Sequence, residues 1–227
     1  DMDIKLNYIE KGKGTPLVLL HGNGGSLECF RSQIEYFSKK YRVIALDTRG
    51  HGKSPRGDKP FTIKQFADDL KDFLDELGIK RAILLGFSDG GNIALTFALK
   101  YGEYVEKLIL NGANLFPKGL KAYCRIPIII NCRLTKLFSR LNKCALKKYE
   151  LLSLMTDEPN ISFDELKNVT APTLVIVGSA DMIKHSHSLS IANALPDSAF
   201  VVIKGTHGIV YQRPDEFNKA VDNFLNL

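Results

Sequence analysis

Six short apolar runs recur along the chain, and the segments between them carry apolar residues at helical spacing. The runs lie at 17–20, 43–46, 82–86, 107–110, 173–177 and 200–203. Strands that alternate with helices predict a mostly parallel sheet, and continuous apolar runs are typical of strands that helices cover on both faces. An additional early strand is predicted at 4–10. The sequence therefore predicts an α/β fold.

Two of the intervening helices have recognisable ends. Thr62 and Gln65 form a capping-box pattern, and Gly78 follows the last residue of an apolar stripe that begins at Phe66. Near the end of the chain, Pro214 suits a first helical position and precedes apolar residues at helical spacing. Both helices are expected to pack one face against the sheet.

The alternation of strands and helices stops once, between the runs at 107–110 and 173–177. Four residues in this interval share an apolar helical face: Leu134, Leu137, Phe138 and Leu141. Five others share a basic face: Arg133, Lys136, Arg140, Lys143 and Lys147. We predict that residues 1–113 and 169–227 form one core and that residues 114–168 form a short helical cap inserted into it.

The segment Gly86-Phe87-Ser88-Asp89-Gly90 directly follows one apolar run and precedes a helical pattern. A serine between glycines at a strand-to-helix turn is typical of a nucleophile elbow, in which a strained backbone presents the hydroxyl group. Small residues two before and two after the serine let strand and helix approach closely. The turn also places Ser88 at a helix N-terminus, where the backbone amide of Asp89 can donate to a developing oxyanion.

A glycine-rich turn after the first run, His21-Gly22-Asn23-Gly24-Gly25, predicts a second oxyanion donor. The candidate donor is the backbone amide of Asn23 or of Gly24, and Gly24 is also a candidate substrate contact. The alternative is a phosphate-binding glycine loop. The segment lacks both the G-x-G-x-x-G and the G-x-x-x-x-G-K-[ST] patterns that such loops carry.

A serine hydroxyl needs a base near neutral pH, and histidine is the side chain whose ordinary pKa suits this role. Among the five histidines, His207 lies in a loop just past the last predicted strand, where an open α/β sheet gathers its site. Asp181 follows the preceding predicted strand and would orient the imidazole. The loop after 107–110 contains no carboxylate, which removes the obvious rival.

The segment Asp47-Thr-Arg-Gly-His-Gly-Lys-Ser54 matches the D-x-R-G-x-G-x-S turn of the α/β-hydrolase superfamily. With the elbow, the glycine-rich turn and the chain order Ser88, Asp181, His207, the chain resembles this superfamily over nearly its whole length. The resemblance implies an α/β-hydrolase fold, with a mostly parallel sheet, helices on both faces, and an insertion that covers the active site. It also implies that the turn at 47–54 is structural.

The identity of the elbow residue narrows the chemistry that this resemblance implies. Haloalkane dehalogenases and epoxide hydrolases of the superfamily place an aspartate where this chain has Ser88, so we expect acyl transfer to water. The expected activity is that of a carboxylesterase-type serine hydrolase, which cleaves a small ester, thioester or amide through an acyl-enzyme intermediate. A carbon–carbon bond hydrolase, a perhydrolase and a non-catalytic binding protein of this fold are the alternatives.

Asp89 departs from the uncharged residue that usually follows the nucleophile in this superfamily. The Ser-Asp-Gly-Gly elbow at 88–91 is similar to that of valacyclovir hydrolases, which implies that Asp89 receives an ammonium group of the substrate. The alternative, which we favour on sequence alone, is that Asp89 stabilises the first turn of its helix through the helix dipole.

Nine Lys or Arg residues and no Asp or Glu lie between 114 and 149. Such a charge could favour acidic substrates or an anionic membrane surface. The favoured interpretation is a solvated basic face, with the apolar stripe of the cap turned toward the catalytic pocket.

The remaining expectations concern partners, cofactors and location. We expect a small-molecule ester substrate, no nucleic acid, and a monomer or homodimer. The chemistry requires no metal and no organic cofactor. The first eight residues lack a basic end followed by an apolar block, and no stretch reaches the roughly 20 apolar residues of a membrane helix, so a cytoplasmic location is expected.

Overall fold

The computed structural model describes residues 3–227, so residues 1 and 2 of the predicted core lie outside the described part. Its strands are β1 (Tyr8–Lys11), β2 (Pro16–Leu20), β3 (Arg42–Leu46), β4 (Ala82–Phe87), β5 (Val105–Asn111), β6 (Thr173–Gly178) and β7 (Ser198–Ile203). They form one sheet in the order β1-β3-β2-β4-β5-β6-β7. Strand β1 is antiparallel to β3, and all other neighbours are parallel. The predicted α/β-hydrolase fold is confirmed.

The helices cover both faces of this sheet. They are α1 (Arg31–Phe37), α2 (Ile63–Glu76), α3 (Asp89–Lys100), α4 (Ala122–Phe138), α5 (Lys143–Asp157), α6 (His185–Ala194), α7 (Ile209–Gln212) and α8 (Pro214–Leu225). Side chains alternate along β2, so Leu17 and Leu19 lie in one buried core with α1, α7 and α8. Val18 and Leu20 lie in the other core, with α2, α3 and α6.

The first strand is shorter than the predicted range 4–10. The residues before it are held by the turn at 47–54 instead of by a neighbouring strand. Asn7 donates from its backbone amide to Ser54 Oγ and from its side chain to Asp47 Oδ2, both at 2.8 Å. Because Ser54 satisfies the Asn7 amide and the Asp47 amide satisfies the Asn7 carbonyl, the chain pairs as a strand only from Tyr8.

The predicted cap of helix α2 is half formed. Thr62 Oγ1 accepts a hydrogen bond from the Gln65 backbone amide at 3.1 Å, as a capping box requires. The Gln65 side chain does not return to Thr62 and instead donates to Asp69 Oδ1 at 3.0 Å. Pro214 occupies the first turn of α8 at the predicted position.

The segment between β5 and β6 contains two α-helices, α4 and α5. Helix α4 ends at Phe138, and the Asn142 side chain accepts from the Cys144 amide to begin α5. The predicted basic face from Arg133 to Lys147 is therefore divided between the two helices.

The expectation that the apolar stripe turns toward the pocket is wrong. Leu134, Leu137, Phe138 and Leu141 are 51%, 71%, 59% and 85% exposed. Helix α4 packs through its opposite side, where buried Cys132 meets Thr156 of α5. Because α5 lies between α4 and the sheet edge that carries the elbow, α5 supplies the side chains that face the cavity there, among them Met155.

Candidate active site

Ser88 joins β4 to α3 in a strained backbone conformation. Its φ of 55° and ψ of −121° make it the one non-glycine residue with positive φ among residues 3–227. Such a conformation costs ~1–3 kcal/mol and persists only where surrounding contacts hold it. A β-carbon on Gly86 would lie 2.2 Å from the Gly90 carbonyl oxygen, and one on Gly90 would lie 1.9 Å from that of Leu20. The two glycines therefore allow the close approach that forms the elbow.

The three residues predicted as nucleophile, base and orienting carboxylate lie together at the carboxyl ends of β4, β7 and β6. His207 Nε2 lies 2.8 Å from Ser88 Oγ, and His207 Nδ1 lies 2.7 Å from Asp181 Oδ1. A carboxylate can only accept, so Nδ1 carries the proton and donates to Asp181. Nε2 is then left to accept the proton of the Ser88 hydroxyl.

Asp181 is buried and is held in place by the backbone. The amide of Ile183 donates to Oδ1 at 2.9 Å, and that of Gly178 donates to Oδ2 at 3.4 Å. Burial acts to raise the pKa of Asp181, but the hydrogen bond and charge of His207, together with these amides, lower that pKa below its ordinary value of 3.8. The carboxylate is therefore charged at neutral pH and can stabilise an imidazolium.

The glycine-rich turn after β2 lies beside the elbow. A β-carbon on Gly22 would lie 3.0 Å from Ser88 Cβ. Within the described chain, the backbone amides of Asn23 and Asp89 donate to no other protein atom, so both are available to an oxyanion. The Asn23 side chain donates to the Leu151 carbonyl oxygen at 2.6 Å, which ties this turn to α5.

A buried histidine connects this turn to the turn at 47–54. His21 Nδ1 donates to the Gly22 carbonyl oxygen at 2.7 Å, and His21 Nε2 accepts from the Thr48 amide at 3.1 Å. Burial lowers the pKa of His21, which keeps the ring neutral and preserves its acceptor nitrogen. Hydrogen bonds through His21 thus join the turn at 47–54 to the glycine-rich turn. His21 has no hydrogen bond to Ser88, Asp181 or His207.

The side chain of Asp89 is 8% exposed and incompletely hydrogen-bonded. Oδ1 accepts from Asn92 Nδ2 at 3.1 Å, whereas Oδ2 is buried with no partner in residues 3–227. Burial raises the pKa of Asp89 to about 6, although His207, Asn92 and the neighbouring side-chain amide of Asn23 act to lower it. The Asn23 side-chain amide donates to Leu151 and makes no hydrogen bond to Oδ2. An unpaired buried carboxylate oxygen is unfavourable unless a ligand supplies a donor.

A narrow cavity lies beside Ser88 and His207. Its other lining residues are Asp89, Asn114, Leu120, Met155, Glu158, Met182 and Ile183. The cavity volume is about 10 Å³, which is room for a single water molecule. Gly24 is exposed and does not line this space. An ester therefore enters only if wall residues move, and the two flexible methionines are suited to that.

Glu158 is a wall residue that the sequence analysis missed. Its Oε2 accepts from the Ile63 amide at 2.7 Å, and burial raises its pKa. It directly follows α5, where a negative charge opposes the helix dipole. The only sign of Glu158 in the sequence is an acidic residue at the C-terminal end of a helix, where a negative charge is unfavourable.

The sequence and the structure both match known hydrolases. A family profile described as alpha/beta hydrolase fold matches residues 15–123. The chain is 31% identical to the serine hydrolase BPHL of Homo sapiens, and the match covers 98% of this chain and 83% of that protein. This chain belongs to the α/β-hydrolase family.

Two solved structures share this architecture at similar length. A thermophilic esterase from Thermogutta terrifontis superimposes with a TM-score of 0.84 at 25% identity, covering 98% of this chain and 93% of the other. A meta-cleavage product hydrolase from Pseudomonas fluorescens IP01 has a TM-score of 0.80 at 26% identity, covering 98% and 94%. This chain is therefore a hydrolase by family and by architecture.

Two further properties of this α/β hydrolase bear on the expectations from sequence. No helix in the described part is long and apolar enough to cross a membrane. Residues 3–227 also hold no group of three or more His, Cys, Asp or Glu side chains placed to bind a metal ion.

Proposed function

We propose that this protein is a serine hydrolase that cleaves a small carboxylic ester through an acyl-enzyme intermediate. The observation that carries the proposal is the hydrogen-bonded series from Ser88 Oγ through His207 to Asp181, with distances of 2.8 and 2.7 Å. A nucleophile, a base and a carboxylate that orients the base form the arrangement that activates a serine hydroxyl. Residues 114–168 act as a cap over this site.

The reaction proceeds in two halves. Ser88 Oγ attacks the ester carbonyl while His207 Nε2 takes its proton, and the resulting oxyanion accepts from the amides of Asp89 and Asn23. When the bond to the alcohol breaks, His207 returns this proton to the leaving oxygen. Water then attacks the acyl-enzyme with His207 as base, and the proton goes back to Ser88 as the acid leaves.

The preferred substrate carries a positive charge close to the reacting carbonyl. Asp89 presents the unpaired Oδ2 in the residue next to the nucleophile, and Glu158 adds a second carboxylate to the same cavity wall. A substrate ammonium group would satisfy Oδ2 and offset the cost of its burial. This supports the ammonium interpretation of Asp89 over the helix-dipole interpretation favoured on sequence alone. Aminoacyl esters are the matching substrate class.

The first test is hydrolysis of p-nitrophenyl esters from acetate to decanoate by the native protein and Ser88→Ala. We expect activity on short esters that the variant loses by at least 10³-fold, and labelling of Ser88 by a fluorophosphonate. Labelling without ester hydrolysis would favour the carbon–carbon bond hydrolase or perhydrolase alternative. Absence of both would favour a non-catalytic binding protein.

The second test compares an aminoacyl ester with its deaminated analogue between pH 5 and 7. Because the pKa of Asp89 is about 6, the ratio of their kcat/KM values should rise with pH as Asp89 ionises. Any ionisation that changes the reactivity of both substrates equally cancels in the ratio. Asp89→Asn should remove the preference and its pH dependence while the deaminated ester is still cleaved. An unchanged preference in this variant would exclude the ammonium role and leave the serine mechanism intact.

A further inference from the structure

Helix α4 and the turn that follows it present a continuous apolar face to solvent. The face, here called the cap stripe, consists of Tyr123, Ile126, Ile130, Leu134, Leu137 and Leu141. Its members recur every three or four residues and are between 51% and 85% exposed. The other exposed large apolar residues outside the cap are scattered singly or in pairs, as is normal for a protein surface. A continuous exposed stripe of six large apolar side chains is unusual for a protein surface.

Basic residues border the cap stripe. Arg133, Lys136 and Arg140 are exposed and lie along one side of the stripe. Helix α5 adds exposed Lys143, Lys147 and Lys148 to the positive charge of the same segment. No Asp or Glu lies between 114 and 149, so no acidic side chain of this segment neutralises the cluster.

We propose that the cap stripe docks in the plane of a phospholipid surface that carries net negative charge. A helix with one apolar face bordered by Lys and Arg gains from burying that face among acyl chains while its cations meet anionic headgroups. Helix α4 spans 17 residues and its apolar side lies opposite its packing side, so it can enter the interface without unfolding from α5. The contact is peripheral.

Charge decides against a second copy of this chain as the occupant. Two copies packed stripe to stripe would bring Arg133, Lys136 and Arg140 of each close together, with no carboxylate between 114 and 149 to pair them. Like charges at an interface are destabilising, and an anionic surface is the complementary partner. An acidic protein partner would meet the same cations, but the length of the apolar stripe matches a fluid interface better than a discrete groove.

Docking leaves the catalytic machinery untouched. No member of the cap stripe lines the cavity at Ser88. Substitutions in the stripe are therefore expected to leave kcat/KM on a water-soluble ester unchanged, and that measurement serves as the check that each variant is folded.

The test is co-sedimentation with vesicles of phosphatidylcholine alone or with 30% phosphatidylserine. We expect binding to the anionic vesicles that weakens as salt is raised, and little binding to the neutral ones. Arg133→Gln/Lys136→Gln/Arg140→Gln should lower the partition coefficient about 100-fold. Leu137→Ser/Leu141→Ser should lower it at least tenfold. Leu189→Ser/Val202→Ser, which removes two exposed apolar side chains elsewhere, is the matched control and should bind normally.

Three outcomes would overturn the proposal. The first is absence of binding to anionic vesicles. The second is binding that loses nothing in Leu137→Ser/Leu141→Ser, because charge alone would then suffice. The third is a dimer in sedimentation velocity that this double variant dissociates, without vesicle binding, which would assign the stripe to a second copy.

Discussion

At the scale of single residues, the placement of the catalytic imidazole depends on a close contact with a glycine. Gly112 follows β5, has a φ of +65°, and would place a β-carbon 2.7 Å from His207 Cε1. The loop after β5 thus packs its backbone directly against the imidazole, because residue 112 has no side chain. Gly112 and Asp181 both lie at the Nδ1–Cε1 edge of His207, so the hydrogen bond to Asp181 and the contact with Gly112 together fix the ring.

Gly112→Ala should therefore displace His207 and reduce kcat/KM on p-nitrophenyl acetate by about 100-fold, because sub-ångström placement of the base controls the rate. Gly78→Ala is the matched control. Its φ of +66° imposes the same backbone strain, but its β-carbon would meet nothing within 4 Å. Equal loss of activity in both variants would mean that general destabilisation, and not contact with His207, is responsible.

The ionised carboxylate of Asp89 should lower the free energy of unfolding at neutral pH. Its pKa rises from 3.8 to about 6 on folding because of burial, so the folded protein binds this proton more tightly than the unfolded chain. The stabilising effect of that proton is complete below pH ~4 and is lost as the pH rises through about 6, a change of ~3 kcal/mol. The ionised carboxylate thus destabilises the folded protein unless a ligand donates a hydrogen bond to it.

We expect Asp89→Asn to raise the free energy of unfolding by roughly 1–3 kcal/mol at pH 8 and to change it little at pH 4. Urea unfolding at the two pH values measures this. If Asp89 instead served the dipole of α3, the variant would be less stable at pH 8 by ~0.3–1 kcal/mol. The sign of the change therefore separates the two interpretations of this residue.

At the scale of elements, α5 controls how much substrate the site accepts. Met155 projects from α5 into a cavity of about 10 Å³. Truncating it removes three heavy atoms beyond Cβ next to Ser88, which lengthens the space available to an acyl chain.

Met155→Ala should therefore shift the preference among p-nitrophenyl esters toward longer chains, raising the octanoate-to-acetate ratio of kcat/KM by about tenfold. Leu146→Ala, at a 42% exposed position on the same helix, is the control and should leave the ratio unchanged. A ratio that does not move in Met155→Ala would place the acyl chain elsewhere.

At the scale of the whole molecule, an ion-pair network around buried Arg49 joins three distant parts of the chain. Arg49 is fully buried, and its Nη2 lies 2.6 Å from Asp3 Oδ1 and 2.7 Å from Asp69 Oδ1. It links the start of the chain, the turn at 47–54 and helix α2.

Arg49→Met should lower the free energy of unfolding by ~3–5 kcal/mol, because Asp69 is left buried without its partner. Arg49→Met/Asp69→Leu should recover a large part of that loss in the same urea titration. If the double variant were no more stable than the single one, packing around the guanidinium rather than charge would carry the stability.

Much of this protein follows from local sequence. Strand runs, the elbow glycines and the order Ser88, Asp181, His207 could be predicted because they depend on short-range rules: strands in one parallel sheet end at the same edge, so loops after them meet. Ser88 and His207 are 119 residues apart, yet the hydrogen bond between them follows from that geometry.

Tertiary structure alone decided the rest. Helical periodicity identified the apolar residues of α4 as sharing a face, but periodicity does not state what a face packs against, and the predicted direction was wrong. Likewise, the unpaired Asp89 Oδ2 and the approach of Glu158 depend on neighbours far away in sequence. Local sequence determines which groups lie together on an element, whereas burial and pairing depend on how elements from the whole chain pack.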